Sequence, residues 1–349
     1  MSSDKQHPYI SFAQRFADPS LDYLNSYIAI SRAQDLVNDL KRVRALLDAD
    51  NPPEQRWAPW FGADIVSYYS VGFVTSLEWH ARSRLVDLIS YRPGALKTDD
   101  LKGQFGDKLL VQMIAEGAPV THLIGASLKV SSAEKYFSVM ARIFESLDIE
   151  DGIADSLTGT STNSTVCWIN PSQMQTFQHL FDFRNSLVHE IGSGVIGHPN
   201  VRESWDPAFA ELVGSMVVSV MSGIEHTLTS FAPADFPNLL TEEGSPVSRV
   251  EYLEKEVLRL EQLVDREIEK TEWQSETTPT DWFRARDAAR HHFEAEKSFV
   301  DKAEMLHWRY HDARTPLKMK ALNYRIQFLT EFLTNFADGF VEDKPNDLP

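Results

Sequence analysis

Apolar residues recur along this chain mainly at spacings of three and four, and strict alternation of apolar and polar residues is scarce. The first spacing gathers apolar side chains on one face of a helix, whereas alternation would gather them on one face of a strand. The pattern therefore predicts an all-α protein. With prolines, glycines and capping residues as limits, the predicted helices cover residues 21–47, 63–91, 107–116, 131–147, 171–192, 206–231, 280–312 and 316–340.

Proline-containing segments predict how the chain divides. Residues 233–246 hold several prolines and no helical pattern, so we place the domain boundary there. The predicted order is an N-terminal helical segment (1–55), a helical bundle (56–235), a linker (236–247) and an additional C-terminal helical region (248–349).

The C-terminal region begins with an apolar repeat at heptad spacing, formed by Val250, Leu253, Val257, Leu260 and Val264. About two heptads are too few to predict a coiled coil. A hairpin arm, a dimerisation segment and packing onto the first domain therefore remain open for this region.

Composition and charge restrict the classes of function. The net charge of −17 disfavours charge-driven coating of DNA or RNA, although a local phosphate-cleaving groove is compatible with it. The single cysteine, Cys167, excludes an intramolecular disulfide and a cysteine-based zinc site. The first ten residues lack a secretory signal, and the apolar run Leu212–Ile224 is too short to span a bilayer. We therefore expect a cytoplasmic protein with no membrane or DNA partner.

The segment with the most chemical information is residues 183–190, where Arg184, Asn185 and His189 interrupt an apolar helical run. On a helical wheel, Arg184 falls near the centre of an apolar stripe, and His189 lies about 140° away on the polar flank. The stripe consists of Leu180, Phe181, Leu187, Val188 and Ile191. A guanidinium in such a stripe needs a compensating partner or a ligand.

The predicted helix 63–91 offers a partner for Arg184. Its apolar stripe is formed by Val74, Leu77, Ala81, Leu85 and Leu88, and Glu78 lies at the edge of that stripe. A buried carboxylate and a buried guanidinium are each costly alone and tolerable together. We therefore expect Glu78 to pair with Arg184 across the bundle.

These residues resemble the signature of HEPN domains. The family is marked by an Arg, four to six residues and a His, with a polar residue often following the Arg; Arg184, Asn185 and His189 are similar to that pattern. Glu78 and the helix order over about residues 60–232 also resemble the family. The resemblance implies an all-α bundle of HEPN type that acts as a homodimer. It also implies a metal-independent endoribonuclease, without a cofactor, that leaves a cyclic phosphate on one RNA fragment.

The resemblance implies a role for each residue. His189 would move a proton as general acid or base, and Arg184 would bind the scissile phosphate and stabilise its developing charge. Asn185 would orient the phosphate or His189, and Glu78 would position Arg184. The expected setting is bacterial antiviral defence or a toxin system, with a regulatory or antitoxin protein as a further partner. The alternatives are a non-catalytic HEPN-like binding module and a helical scaffold whose resemblance is accidental.

Other motifs carry weaker signals. Arg286 and His291 repeat the same spacing in a strongly charged helix, and we interpret that copy as a solvated face. His307 and His311 share a helix face, but no Glu lies between them as in zinc-protease helices. We therefore expect no metal site.

Overall fold

The computed structural model describes residues 8–16, 24–50, 59–96, 106–116, 118–149, 171–189, 205, 207–233, 235–241, 245–270, 283–284, 287–291, 293–295, 298 and 311–338. These residues form helices and no strand beyond an isolated bridge between Leu240 and Pro246, so the all-α prediction is confirmed. The helices are α1 (Pro8–Phe16), α2 (Asn25–Asp50), α3 (Pro59–Tyr91), α4 (Asp107–Glu116), α5 (Val120–Ser127), α6 (Ala133–Ser146), α7 (Pro171–His189), α8 (Pro207–Phe231), α9 (Arg249–Lys270) and α10 (His311–Asp338).

The chain divides into two units, with the boundary between Pro246 and Val247. The first unit contains α1 to α8, and the second contains α9 and α10. Helices α1 and α2 thus belong to the same unit as the bundle, whereas the sequence analysis separated residues 1–55 from it.

Helix α3 is the central helix of the first unit and contacts α2, α5, α6, α7 and α8. The apolar stripe predicted for it, Val74, Leu77, Ala81, Leu85 and Leu88, is fully buried. Burial of this stripe explains why a long helix with a mixed sequence is stable, because helices in proteins draw most of their stability from packing of an apolar face. Glu78 and Arg82 lie one turn apart on this helix and are only partly buried.

Two glycines set how closely α3 approaches its neighbours. A Cβ atom added to Gly214 of α8 would lie 2.3 Å from Cζ of Phe73. A Cβ atom added to Gly72 would meet Cδ1 of Leu36, on α2, at 2.7 Å. The phenyl ring of Phe73 therefore packs directly on the backbone of α8, where only glycine fits.

The segment predicted as a linker packs on the first unit. Phe236 and Leu239 are buried in its core, and the carbonyl oxygen of Pro237 accepts a hydrogen bond of 2.8 Å from Arg84 Nη1. Tyr91 also donates to Asp235, at 2.9 Å. The prolines stop the helix, but the apolar residues between them hold the segment against α3.

Helix α8 combines the length and hydropathy of a membrane span with the burial of a core helix. It is the one described helix that is long and apolar enough to cross a membrane by composition. One face is buried in the core through Val213, Val217 and Ile224, and Glu225 is buried beside them. Core helices of globular domains meet the same criteria of length and composition, so we treat α8 as a core helix.

In the second unit, the heptad repeat of α9 packs on α10. Leu253, Val257, Leu260 and Val264 form a buried cluster with residues of α10 such as Met319 and Leu322. The structure shows α9 packed against α10 within the second unit. Helix α10 starts at His311 rather than at Pro316, since a proline near a helix start removes only one backbone hydrogen bond of the first turns.

Candidate functional site

Helix α7 carries the predicted signature and packs on α3 and α6. Phe177, Leu180, Phe181 and Phe183 are buried and hold the helix in place. Toward its C-terminal end the burial decreases, and Val188 is 52% exposed. The prediction that Val188 belongs to the buried stripe was therefore wrong.

Arg184 lies where α7 leaves the core. Its Nη2 atom donates to Oε1 of Glu78 at 3.1 Å, so the predicted pairing of these two residues is confirmed. The Arg184 side chain is 20% exposed and that of Glu78 is 14% exposed. Arg184 is thus neither sealed in the interior nor free in water: it is held in place with part of its surface accessible.

Asn185 connects Arg184 to the start of α6. Its Oδ1 atom accepts a hydrogen bond of 2.9 Å from Arg184 Nη1, and its Nδ2 atom lies 3.4 Å from the carbonyl oxygen of Ser131. The amide therefore orients the guanidinium, whereas the sequence analysis assigned it to the phosphate or to His189. Ser132, the residue after Ser131, caps α6 by accepting a hydrogen bond from the Lys135 amide.

Arg82 is a member of the site that the sequence analysis missed. Its Nη2 atom lies 3.6 Å from Oε2 of Glu78, and its Nε atom donates to the carbonyl oxygen of Leu128 at 3.0 Å. The Arg82 side chain is 16% exposed. The spacing of four residues from Glu78 on the same helix was the available signal. We call these three residues the Arg82–Glu78–Arg184 cluster.

Burial and charge act against each other in this cluster. Burial raises the pKa of Glu78, and the charges of Arg82 and Arg184 only partly offset that rise. Burial also lowers the pKa of Arg82, and the neighbouring charge of Arg184 adds to this effect while Glu78 opposes it. With Glu78 ionised, the three groups carry two positive charges and one negative charge. A partly exposed cluster of this kind is suited to an anionic ligand.

His189 is the last residue of α7. The structure describes its backbone but not its side chain. His189 lies five positions after Arg184, which corresponds to about 7.5 Å along the helix axis. The structure therefore brings together Glu78, Arg184 and Asn185, and it places the backbone of His189 beyond them along α7.

The second Arg–His copy belongs to the second unit. Arg286 lies outside the described residues, while His291 is exposed. His307, Cys167 and residues 192–197 also lie outside the described residues. In the described part of the chain, no group of three or more His, Cys, Asp or Glu side chains is arranged to hold a metal ion.

A separate polar network lies buried between α3 and α8. Arg84 Nε donates to Glu225 Oε1 at 2.9 Å, and Arg84 Nη2 contacts the other oxygen of that carboxylate. His80 Nε2 lies 2.7 Å from Glu225 Oε1, and His80 Nδ1 lies 2.9 Å from the hydroxyl of Tyr136. Arg84, His80 and Glu225 are all fully buried. We call these four residues the buried network and assign them a structural role, since solvent does not reach their side chains.

Charge compensation makes the buried network stable. Burial opposes the ionised form of Glu225, but the charge and hydrogen bonds of Arg84 outweigh it and lower the pKa of Glu225 to about 2. Asp87 adds a second carboxylate to Arg84, at 3.0 Å from Nη1. Arg84 is therefore surrounded by negative charge, in contrast to Arg82 and Arg184, which share one carboxylate.

Comparison with known proteins identified no relative of this chain. No protein-family model matches the chain, and neither the curated proteins nor the solved structures give a significant match. The functional assignment therefore depends on the residues and contacts described above.

Proposed function

We propose that this chain is a metal-independent endoribonuclease of HEPN type, in which Arg184, Asn185 and His189 act on RNA and Glu78 positions Arg184. The observation that carries the proposal is the placement of Arg184. Its guanidinium is held by Glu78 and Asn185, while the Arg184 side chain as a whole stays 20% exposed. A purely structural arginine would be expected to be buried and fully compensated, as Arg84 is.

The proposed reaction is attack of the RNA 2′-oxygen on the adjacent phosphorus. The bond from phosphorus to the 5′-oxygen breaks, so one fragment ends in a 2′,3′-cyclic phosphate and the other in a 5′-hydroxyl. His189 takes the proton of the 2′-hydroxyl or supplies the proton to the 5′-oxygen, and Arg184 stabilises the charge that develops on the phosphate. Single-stranded or loop RNA is the expected substrate, since its 2′-hydroxyl can align with the leaving oxygen.

The proposal includes a homodimer in the cytoplasm, in an antiviral defence or toxin setting with a regulatory or antitoxin partner. The wheel position of His189, about 140° from Arg184, supports a dimer, because a second subunit can bring its own His189 to the phosphate. The solution mass from light scattering tests this part of the proposal, and a monomer at all concentrations that support cleavage would contradict it.

Cleavage of a labelled single-stranded RNA in the presence of EDTA tests the proposed activity. We expect the wild type to produce fragments with cyclic phosphate ends. His189→Ala should slow cleavage by about 10²–10⁴-fold, and Arg184→Ala by about 10²–10³-fold. His291→Ala and Arg286→Ala are matched controls from the second Arg–His copy, and both should cleave at the wild-type rate.

Two results would contradict the proposal: intact RNA with the wild type, or equal cleavage by the wild type and His189→Ala. The net charge of −17 favours the alternative of a non-catalytic binding module. Wild-type protein that binds RNA or a protein partner and leaves the RNA intact would support that alternative.

A further inference from the structure

The Arg82–Glu78–Arg184 cluster has more positive charge than its own carboxylate can balance. Glu78 uses Oε1 for Arg184, at 3.1 Å, and Oε2 for Arg82, at 3.6 Å. The two guanidiniums thus contact different oxygens of one carboxylate, which lies between them. Like charges held this close repel each other, and an anion bound between them relieves that repulsion.

The backbone around the cluster fixes both arginines in position. Arg82 is anchored by its hydrogen bond to the carbonyl of Leu128, and Arg184 is anchored by Asn185, which reaches the carbonyl of Ser131. Both carbonyls belong to the short connection between α5 and α6. One connection therefore braces both arginine side chains, and little conformational entropy is left to lose when a ligand binds.

The exposure of its arginine side chains distinguishes this cluster from the buried network, which contains Arg84. The Arg82 and Arg184 side chains are 16% and 20% exposed. Arg84, on the same helix as Arg82, has no exposed surface and contacts the two carboxylates of Glu225 and Asp87. Solvent therefore reaches part of the Arg82 and Arg184 side chains and does not reach the side chain of Arg84.

We propose that Arg82 and Arg184 together form a phosphate-binding site for single-stranded RNA, in which Arg82 is a second substrate-binding cation and Glu78 is the spacer that sets their separation. The identity of the ligand as RNA rests on the proposed function. Guanidinium groups bind phosphate oxygens through paired N–H donors. Arg82 binds the phosphate that Arg184 binds, or the adjacent one along the strand.

Binding of a short fluorescein-labelled oligouridine, measured by fluorescence polarisation in EDTA at several KCl concentrations, tests the site. The His189→Ala background keeps the RNA intact during the measurement. For a single strand, a plot of the logarithm of the association constant against the logarithm of the salt concentration has a negative slope. Loss of one phosphate contact reduces the magnitude of that slope by about 0.7. We expect Arg82→Gln to weaken binding and to reduce the slope by about that amount, and Arg82→Lys to keep most of the slope.

Arg92→Gln is the matched control. Arg92 also donates to a backbone carbonyl, that of Ser146, and pairs with a carboxylate, that of Asp148 at 3.0 Å. It lies on the same unit, so its replacement changes the net charge by the same amount as Arg82→Gln. We expect its dissociation constant and salt slope to equal those of the background protein.

Glu78→Gln gives a test that does not depend on the folding of Arg82→Gln. Gln has the length of Glu and keeps one accepting oxygen, so it still separates the two guanidiniums. The carboxylate charge that competes with the ligand for both guanidiniums is lost, so oligouridine should bind more tightly. Cleavage by Glu78→Gln with His189 restored should nevertheless fall, because Arg184 loses the charge that positions it. Unchanged or weaker binding by folded Glu78→Gln would overturn the inference.

The two proposals fail in different ways. Wild-type cleavage together with an Arg82→Gln variant that matches Arg92→Gln in affinity and salt slope would refute the phosphate site and leave the nuclease proposal standing. Binding that depends on Arg82 together with intact RNA would refute the nuclease proposal and leave the phosphate site standing.

Discussion

Replacing Glu225 by Gln removes the carboxylate charge that Arg84 and His80 share in the buried network. The shape of the side chain changes little, so the effect reports on charge and hydrogen bonding. The amide nitrogen of Gln cannot accept from Arg84. In one of its two orientations the amide nitrogen faces Arg84 Nη2, and in the other it faces both Arg84 Nε and His80 Nε2.

The pKa of Glu225 sets the size of the effect. In the folded protein it is lowered from 4.5 to about 2, which corresponds to on the order of 3 kcal/mol in favour of the ionised form at neutral pH. Breaking a buried ion pair from one side typically costs about 3–5 kcal/mol. We therefore expect Glu225→Gln to destabilise the first unit by about 3–5 kcal/mol at pH 7.

The effect should depend on pH in a defined direction. Because the folded pKa of Glu225 is depressed, its contribution is complete above pH 4.5 and is lost as the pH falls toward about 2. The difference in stability between wild type and Glu225→Gln should therefore shrink over that interval. Above pH 4.5 this group should add no further pH dependence.

Hydrogen exchange of peptides from α3 and α8 is the suitable measurement, since a global unfolding curve would mix the two units. Glu211→Gln is the matched control: Glu211 is also on α8 but pairs with Arg44 at the surface, at 3.1 Å. Exposed pairs contribute about 0–1 kcal/mol. A Glu225→Gln effect no larger than that of Glu211→Gln, or one that does not change between pH 4.5 and 2, would refute the reasoning.

Packing and capping give two further predictions. Gly214→Ala should destabilise the first unit by about 1–3 kcal/mol, because its Cβ atom would meet the buried ring of Phe73 at 2.3 Å; thermal unfolding of Gly72→Ala, where the flexible end of a leucine can move, should show a smaller loss. Ser132→Ala should cost about 1 kcal/mol through loss of the cap of α6, seen as faster hydrogen exchange in the first turn of that helix. Equal melting temperatures for the two glycine variants, or unchanged exchange in Ser132→Ala, would contradict these assignments.

The periodic spacing of apolar residues in the sequence predicted the long helices and one contact of the candidate site, between Glu78 and Arg184. The stripe of α3 and the heptad repeat of α9 are each long enough to specify a buried face, and both faces are buried. The pairing of Glu78 with Arg184 followed from two charged residues located on or beside such faces, which require compensation. The helical spacing of apolar residues and the cost of burying an unpaired charge were thus sufficient to predict the contact between Glu78 and Arg184.

The buried network could not be predicted in the same way. Arg84 and Glu225 are 141 positions apart, and His80 and Glu225 are 145 apart. No periodicity connects such residues, since their contact depends on how α3 and α8 cross. Arg82 was accessible to prediction from its spacing to Glu78, but a pair at this spacing is usually a solvated surface pair.

The exposure of Val188 shows a limit of the helical wheel. A wheel treats every turn as equally packed, whereas α7 has buried residues up to Phe183 and only partly buried or exposed ones from Arg184 to Val188. The angular position of a residue therefore has to be combined with its distance from the helix end. For Arg184, one turn earlier, this gradient of packing produces the partial exposure on which the proposed activity depends.

The way residues 235–241 close over α3 has a practical consequence for dividing this chain into fragments. An expression clone that stops at Phe231, where the last bundle helix ends, would strip Phe236 and Leu239 from the interior and deprive Arg84 of the Pro237 carbonyl. Such a truncated product would be prone to aggregate even though every helix of the bundle was encoded. A fragment that ends at Pro246 keeps these residues and is the sensible starting point for crystallisation or NMR of the first unit.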